Sequence, residues 1–259
     1  MKALILAAGQ GTRLKKYTEN LPKGMLCFRG KTIIETQIGL YRNCGIKDII
    51  IVRGYAADKI PYEGVTYYTN KDYADTNMVE SLMAAKSEFD TDMIVSYSDI
   101  LFEEQMLRQM MASKADFTVA VDDNWKVYWK KRYGRTDFDT ESLSLDGSGN
   151  IIELGRENPR IEEIDARYIG LLKFSKSGLS HIKALIEDAY KNMQDKPWMQ
   201  SGKTVRKAYM TDLLQAVIES GKQVKAERFQ NGWIEFDTNE DYENACKWVE
   251  DGSIKEILK

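Results

Sequence analysis

Four charged side chains, three of them beyond the ends of strand-like runs, together suit phosphate chemistry: Arg13, Lys23, Asp99 and Asp237. The first follows the apolar run of residues 2–7 within Leu6-Ala-Ala-Gly-Gln-Gly-Thr-Arg13. Gly9 and Gly11 let the backbone pass close to a polyphosphate and turn N–H groups toward it, and the Arg13 fork can hold phosphate oxygens in pairs. Lys23, within Leu21-Pro-Lys-Gly-Met25, supplies a second cation. Other readings of the glycine loop fail on spacing. The third glycine of a dinucleotide fingerprint would fall at Leu14, and no G-x4-G-K-[ST] occurs. Asp99 closes Ser96-Tyr-Ser-Asp99, while Asp237 closes Ile234-Glu-Phe-Asp237 with Glu235 two residues earlier on the same face. Bringing a triphosphate and an anionic acceptor together for in-line attack calls for a divalent cation. Magnesium prefers one or two carboxylates plus phosphate oxygens, so Asp99, Glu235 and Asp237 are the metal candidates. The competing reading of these acids is as turn residues or helix caps.

Composition narrows the field. A single histidine, His181, leaves no HExxH and no His-rich metal cage, and its polar-faced helical segment reads as surface. Three cysteines, Cys27, Cys44 and Cys246, are scattered and lack C-x-x-C spacing, which speaks against a disulfide framework or a zinc site. Lys plus Arg (37) nearly balances Asp plus Glu (40), so no strong field would hold the chain on nucleic acid or an anionic membrane. No apolar run approaches the roughly 20 residues that span a bilayer, and Met1-Lys2 leads straight into a strand rather than a signal segment. The expectation is a cytoplasmic protein.

The elements that must position these residues follow from periodicity. Residues 2–7, 48–52, 65–69 and 93–97 read as buried strands; 33–41, 76–86 and 102–112 read as helices. This alternation predicts an α/β fold with a mainly parallel sheet and helices on both faces. Parallel sheets bind ligands beyond the carboxyl ends of their strands, which is where the glycine loop and Asp99 fall. Further on, 116–121 and 166–174 read as strands, 143–153 as a hairpin turning at 146–149, 176–192 and 204–220 as helices, and 223–236 as two short strands before a helix from Asn239; the sheet becomes mixed. No linker or internal repeat is visible, so residues 1–259 read as one domain, with 124–165 an acceptor-side insertion over the strand ends. In that insertion Trp125-Lys-Val-Tyr-Trp-Lys-Lys-Arg-Tyr133 joins aromatic faces to cations. It suits either a clamp for an anionic or ammonium-bearing acceptor, or an amphipathic helix with a solvated basic face. Met106, Met110 and Met111 read as core.

By these residues the chain resembles the sugar nucleotidyltransferase superfamily, whose motif L-x-A-G-x-G-[ST]-R-[LM] followed by P-K is matched by Leu6-Ala-Ala-Gly-Gln-Gly-Thr-Arg-Leu14 and Pro22-Lys23. The resemblance implies a Rossmann-like nucleotidyltransferase fold and catalysis by Arg13 and Lys23. It also implies a nucleotide loop of Leu6, Ala7, Ala8, Gly9, Gly11 and Thr12, and magnesium on Asp99 and Asp237. The segment Asn70-Lys-Asp-Tyr-Ala-Asp-Thr-Asn77 followed by Glu80-Ser-Leu82 looks like the base-side segment of LicC-type phosphocholine cytidylyltransferases. That implies CTP, with Asn70, Thr76 and Asn77 as base and ribose contacts; an Asx turn and a Thr cap explain the same residues. Val121-Asp-Asp-Asn-Trp125, Ile152-Glu-Leu-Gly155, Tyr168-Ile-Gly170 and Tyr209-Met-Thr-Asp212 look closer to cytidylyltransferases that activate phosphonates or phosphoglutamine. The Glu-Lys-Pro element that orients the sugar in sugar-phosphate members has as counterpart Glu153-Leu-Gly-Arg-Glu-Asn-Pro159, a departure that weakens a sugar site.

The expectation is therefore a magnesium-dependent cytidylyltransferase that moves CMP from CTP to a small phosphonate or phosphomonoester such as aminoethylphosphonate or phosphocholine, releasing pyrophosphate. Trp125, Trp129, Lys131 and Glu153 are its acceptor-binding candidates. A sugar-1-phosphate nucleotidyltransferase is the alternative within enzymes, and a catalytically silent nucleotide-binding regulator the alternative outside them. A homodimer is left open.

Overall fold

In the computed structural model, which describes residues 1–258, every other residue of the first strand enters a different core. Along β1 (Lys2–Ala7), Leu4 and Leu6 join one apolar cluster while Ala3, Ile5 and Ala7 join another on the opposite face. A period of two in side-chain direction makes a wholly apolar run into a strand buried on both sides. The same holds for β2 (Ile49–Arg53) and β4 (Met93–Tyr97), which flank β1 in parallel, and β3 (Thr66–Thr69) lies parallel outside β2.

Five more strands complete the sheet: β5 (Phe117–Asp122), β6 (Glu141–Leu145), β7 (Asn150–Glu157), β8 (Arg167–Phe174) and β9 (Val224–Phe229). The nine-stranded order is β3-β2-β1-β4-β8-β5-β9-β7-β6. β8 runs antiparallel between β4 and β5, and β9 is parallel to β5. The expected mixed, mainly parallel sheet is therefore present. The 146–149 hairpin also forms, and β6 and β7 extend the sheet edge beside β9.

Helices cover both faces. On one side α1 (Ile33–Asn43), α3 (Glu104–Ala112), α4 (Trp125–Tyr133) and α7 (Asn239–Glu250) meet the cluster holding Ile5; on the other, α2 (Met78–Ala84), α5 (Lys176–Asn192) and α6 (Met210–Glu219) meet that holding Leu4. Local sequence marks their starts: Thr32 caps α1 by accepting from Glu35 N at 3.0 Å, Ser175 caps α5, and Thr238 with Asp241 forms a capping box on α7. The 204–220 pattern divides into a short turn at Val205–Lys207 and α6. Met106 and Met110 are buried as expected, and His181 lies near the surface with Nε2 2.8 Å from Ser220 Oγ. Among the described residues no helix is long and apolar enough to cross a membrane.

Candidate active site

The chain leaves β1 toward β2 and returns to β4 on the other side, so the crevice beyond these strand ends is a topological switch point, where open α/β sheets take ligands. The loop after β1 turns at Gly11, with φ +65°. A Cβ there would stand 2.4 Å from Lys23 Cγ, so only glycine lets the lysine stem cross the loop. A Cβ at Gly9 would meet no protein atom within 4 Å; it faces open cavity.

Lys23 begins a tight turn, Lys23–Met25, whose Gly24 is pressed against Ile34 of α1 and Ser98. Its ammonium bonds both to Asp237 Oδ1 and, at 3.2 Å, to Asp99 Oδ2. Arg13 Nη2 reaches Asp237 Oδ2 at 2.5 Å. Two cations and two acids separated by as many as 224 positions in sequence thus form one cluster. The loop carrying Asp99 is held from below by buried Gln37 of α1, which donates to the Tyr97 and Ile100 carbonyls at 2.8 and 2.7 Å. Asp237 is tied in by backbone: Phe236 N donates to Asp99 O at 2.9 Å, and Asp241 Oδ2 accepts from the amides of Asp237 and Thr238. Burial pushes the Asp99 carboxyl above the ordinary range, with Lys23 opposing. Burial opposes the charge on Lys23 too, but Asp99 and Asp237 hold its pKa above the usual lysine value.

The cavity over this cluster has a volume of about 260 Å³ and is lined by Leu6, Ala8, Gly9, Gly11, Thr12, Thr76 and Asn77 from the expected nucleotide set. Tyr73, Met78, Ser81, Tyr97 and Ser98 also face it; Tyr73 and Ser81 come from the base-side segment and Tyr97 and Ser98 from Ser96-Tyr-Ser-Asp99, where the motif marks the stretch but not which side chains reach the cavity. Two of the expected nucleotide contacts lie elsewhere. Ala7 points into the opposite core, as strand alternation requires, and Asn70 is buried, donating to Thr76 Oγ1 and Ser81 Oγ while its Oδ1 accepts from Asp72 N. Asn70 shapes the loop instead of reaching the cavity. Asn77 also caps α2, accepting from Met78 N.

A second cavity, of about 650 Å³, adjoins the first and shares Thr12, Arg13, Met78, Tyr97 and Asp237 with it. Its wall comes from β8 (Arg167, Tyr168), from Glu141 and Glu157, from Asp139 and Asn158, and from Tyr209, Thr211, Trp233 and Glu235. Gly170, at φ +79°, lets β8 pass beneath the Tyr97 ring, where a Cβ would come within 2.6 Å. The four acceptor candidates read from sequence are not on this wall. Trp125 and Trp129 are 1% and 0% exposed, packed edge to face, because the helix turns its aromatic stripe inward. Lys131 pairs with Glu256 at 3.0 Å, and Glu153 accepts from Ser142 Oγ. The segments around Tyr168 and Tyr209, by contrast, do supply wall residues.

Glu235 needs a correction as well. Its Oε2 accepts from Arg132 Nη1 at 2.6 Å, and it does not converge with Asp99 and Asp237 into a three-acid metal group among the described residues. The remaining pair still fits a magnesium ion that takes other ligands from phosphate: Asp99 Oδ1 is buried with no hydrogen-bond partner.

A glycine loop and a lysine between two strand-end carboxylates are the build of a nucleotidyltransferase, and the model of the MobA-like NTP transferase domain matches residues 3–197. The chain belongs to that family. Within it, the chain is similar along almost its whole length to the CTP:phosphoglutamine cytidylyltransferase of Campylobacter jejuni, 35% identical over 254 residues that cover 94% of this chain and 98% of the relative. It is also 35% identical to the choline-phosphate cytidylyltransferase of Streptococcus pneumoniae over 159 residues, 60% of this chain and 68% of that one. The solved structure of CTP:phosphocholine cytidylyltransferase from Streptococcus pneumoniae has the same fold, with a TM-score of 0.73 at 23% identity over 96% and 98% of the two chains. The protein is a nucleotidyltransferase of the cytidylyltransferase type.

Proposed function

We propose that this enzyme transfers CMP from CTP to the phosphate or phosphonate oxygen of a small, amine-bearing acceptor. The observation that carries the reading is the shared wall of the two cavities, with Arg13 and the Lys23 cluster at the seam. CTP occupies the glycine-loop cavity; the acceptor enters the larger one. An acceptor oxygen, already ionised at neutral pH, attacks the α-phosphorus; the bond to the β-phosphate oxygen breaks and pyrophosphate leaves. No proton transfer is required. Arg13 and Lys23 act by drawing the two anions together and stabilising the charge that builds up on the α-phosphoryl oxygens. Asp99 and Asp237 would hold magnesium, whose chemistry is to neutralise phosphate charge when bound. Lys23 bonds to both acids and is placed to hand its charge from them to a phosphate oxygen.

The test is pyrophosphate release from CTP, UTP, dTTP and GTP, each paired with phosphoglutamine, phosphocholine, aminoethylphosphonate and glucose 1-phosphate. Release confined to CTP with an amine-bearing acceptor is expected. Preference for UTP or dTTP with glucose 1-phosphate would establish the sugar-phosphate alternative, and tight CTP binding with no release on any acceptor would establish the silent regulator.

A further inference from the structure

The acceptor cavity contains a guanidinium that the protein itself leaves unsatisfied. Arg167, the first residue of β8, lies with its fork 4.5 Å from the centroid of a Trp129 ring, and its Nε and Nη1 are enclosed without a hydrogen-bond partner. Among the described residues no carboxylate comes within ion-pair distance of it, whereas Arg13 and Arg132 are both paired with acids. An enclosed guanidinium N–H without an acceptor is costly, and such groups persist where a ligand supplies the missing partner. Glu141, half-buried at the start of β6, faces the same cavity, and no cation lies within ion-pair distance of it either. Burial raises the Glu141 pKa and Arg167 works against that, so the two charges sense each other across the cavity without touching. Asp139 and Glu157 on the same wall have no ion-pair partner among the described residues either, so the cavity sets one open cation, Arg167, among open acids, an arrangement complementary to a zwitterion whose carboxylate takes Arg167 and whose ammonium group takes an acid beside it. An acceptor with only an ammonium group would leave Arg167 facing a like charge.

We propose that the acceptor is a phosphorylated α-amino acid, with Arg167 binding its carboxylate and Glu141 its ammonium group while the phosphate points to Arg13. This rests on the transfer reading above and names the acceptor class and the residues that select it. A carboxylate suits a guanidinium fork, which pairs with it through two parallel bonds.

The test compares phosphoglutamine with the same molecule lacking only the α-carboxylate, the phosphorylated amide of 4-aminobutyrate, by pyrophosphate release at saturating CTP. The wild-type enzyme should favour the carboxylate by at least about a hundredfold in kcat/KM, the scale at which a site built for a polar group rejects an analogue without it. In Arg167→Met, whose stem keeps the packing on Trp129, that ratio should fall to near unity. Glu141→Gln should raise KM for both acceptors, since both keep the amine. Calorimetry of CTP binding reports whether each variant is folded; if Arg167→Met is not, the wild-type ratio and Arg167→Lys decide. A wild-type ratio near one, a preference for phosphocholine, or an equal loss on both acceptors in Arg167→Met would overturn the proposal, the last because Arg167 would then hold the phosphate. CTP binding without pyrophosphate from any acceptor would instead bring down the transfer reading itself.

Discussion

Lys23 joins Asp99 to Asp237, and each partner is deprived of water: the lysine side chain is 15% exposed and that of Asp237 6%. Charges so enclosed act strongly on a nearby phosphate. Lys23→Ala and Asp99→Ala should each lower turnover at least about a hundredfold, the scale for losing one transition-state charge partner, measured as pyrophosphate release. Near wild-type rates in either would contradict the assigned chemistry. Gly11→Ala places a Cβ 2.4 Å from Lys23 Cγ at a residue with φ +65°. We expect it to displace the lysine and reduce kcat, while circular dichroism shows an intact fold. At this scale the loop, Arg13 and Lys23 were legible in sequence because one short backbone segment dictates their spacing. Arg167 and Glu141 were not, because a lone charge on a strand carries no local pattern.

Between elements, Arg132 is the join. It leaves α4 fully buried, holds Asp241 of α7 through two bonds of 2.6 and 2.7 Å and Glu235 through a third, and Asp241 in turn holds the Asp237 backbone. Breaking a buried pair costs about 3–5 kcal/mol, so Arg132→Met should lower stability by that order and disturb Asp237 along with it. Burial opposes the charge on Asp241, but bonds from Arg132 and then Thr238 hold its pKa below the ordinary value. A depressed carboxyl stabilises the fold above the unfolded pKa of about 3.9 and ceases to as pH falls through its folded value. In Arg132→Met the unpaired acid prefers to be neutral, so the deficit against wild type should be largest near pH 7 and shrink toward about pH 4. Urea unfolding at several pH values checks this; a constant deficit would deny the charge coupling. Of the two readings that residues 125–133 allow, the structure has the amphipathic helix, but with Arg132 of its basic set buried. Which face turned inward depended on Trp233, Asp241 and Glu235 arriving from more than a hundred residues away.

Over the whole molecule the sheet separates two cores, and adjacent residues of β1 serve opposite ones. Leu4→Ala and Ile5→Ala should therefore each cost about 2–5 kcal/mol, read as a shift in urea midpoint, with CTP affinity preserved in the protein that remains folded. A negligible effect of either would mean that its core tolerates the void. The strand-and-helix alternation, the switch-point crevice and the phosphate loop follow from the sequence by itself, since periodicity and short-range spacing are properties of neighbouring residues. The tertiary structure alone decided that Asp99 and Asp237 share Lys23, that Glu235 goes to Arg132, and that the wall of the second cavity is built by Arg167, Glu141 and Tyr209 and not by Trp125 and Trp129. These outcomes depend on which distant strands pair and which polar groups burial forces together, and a chain read in order contains no term for either.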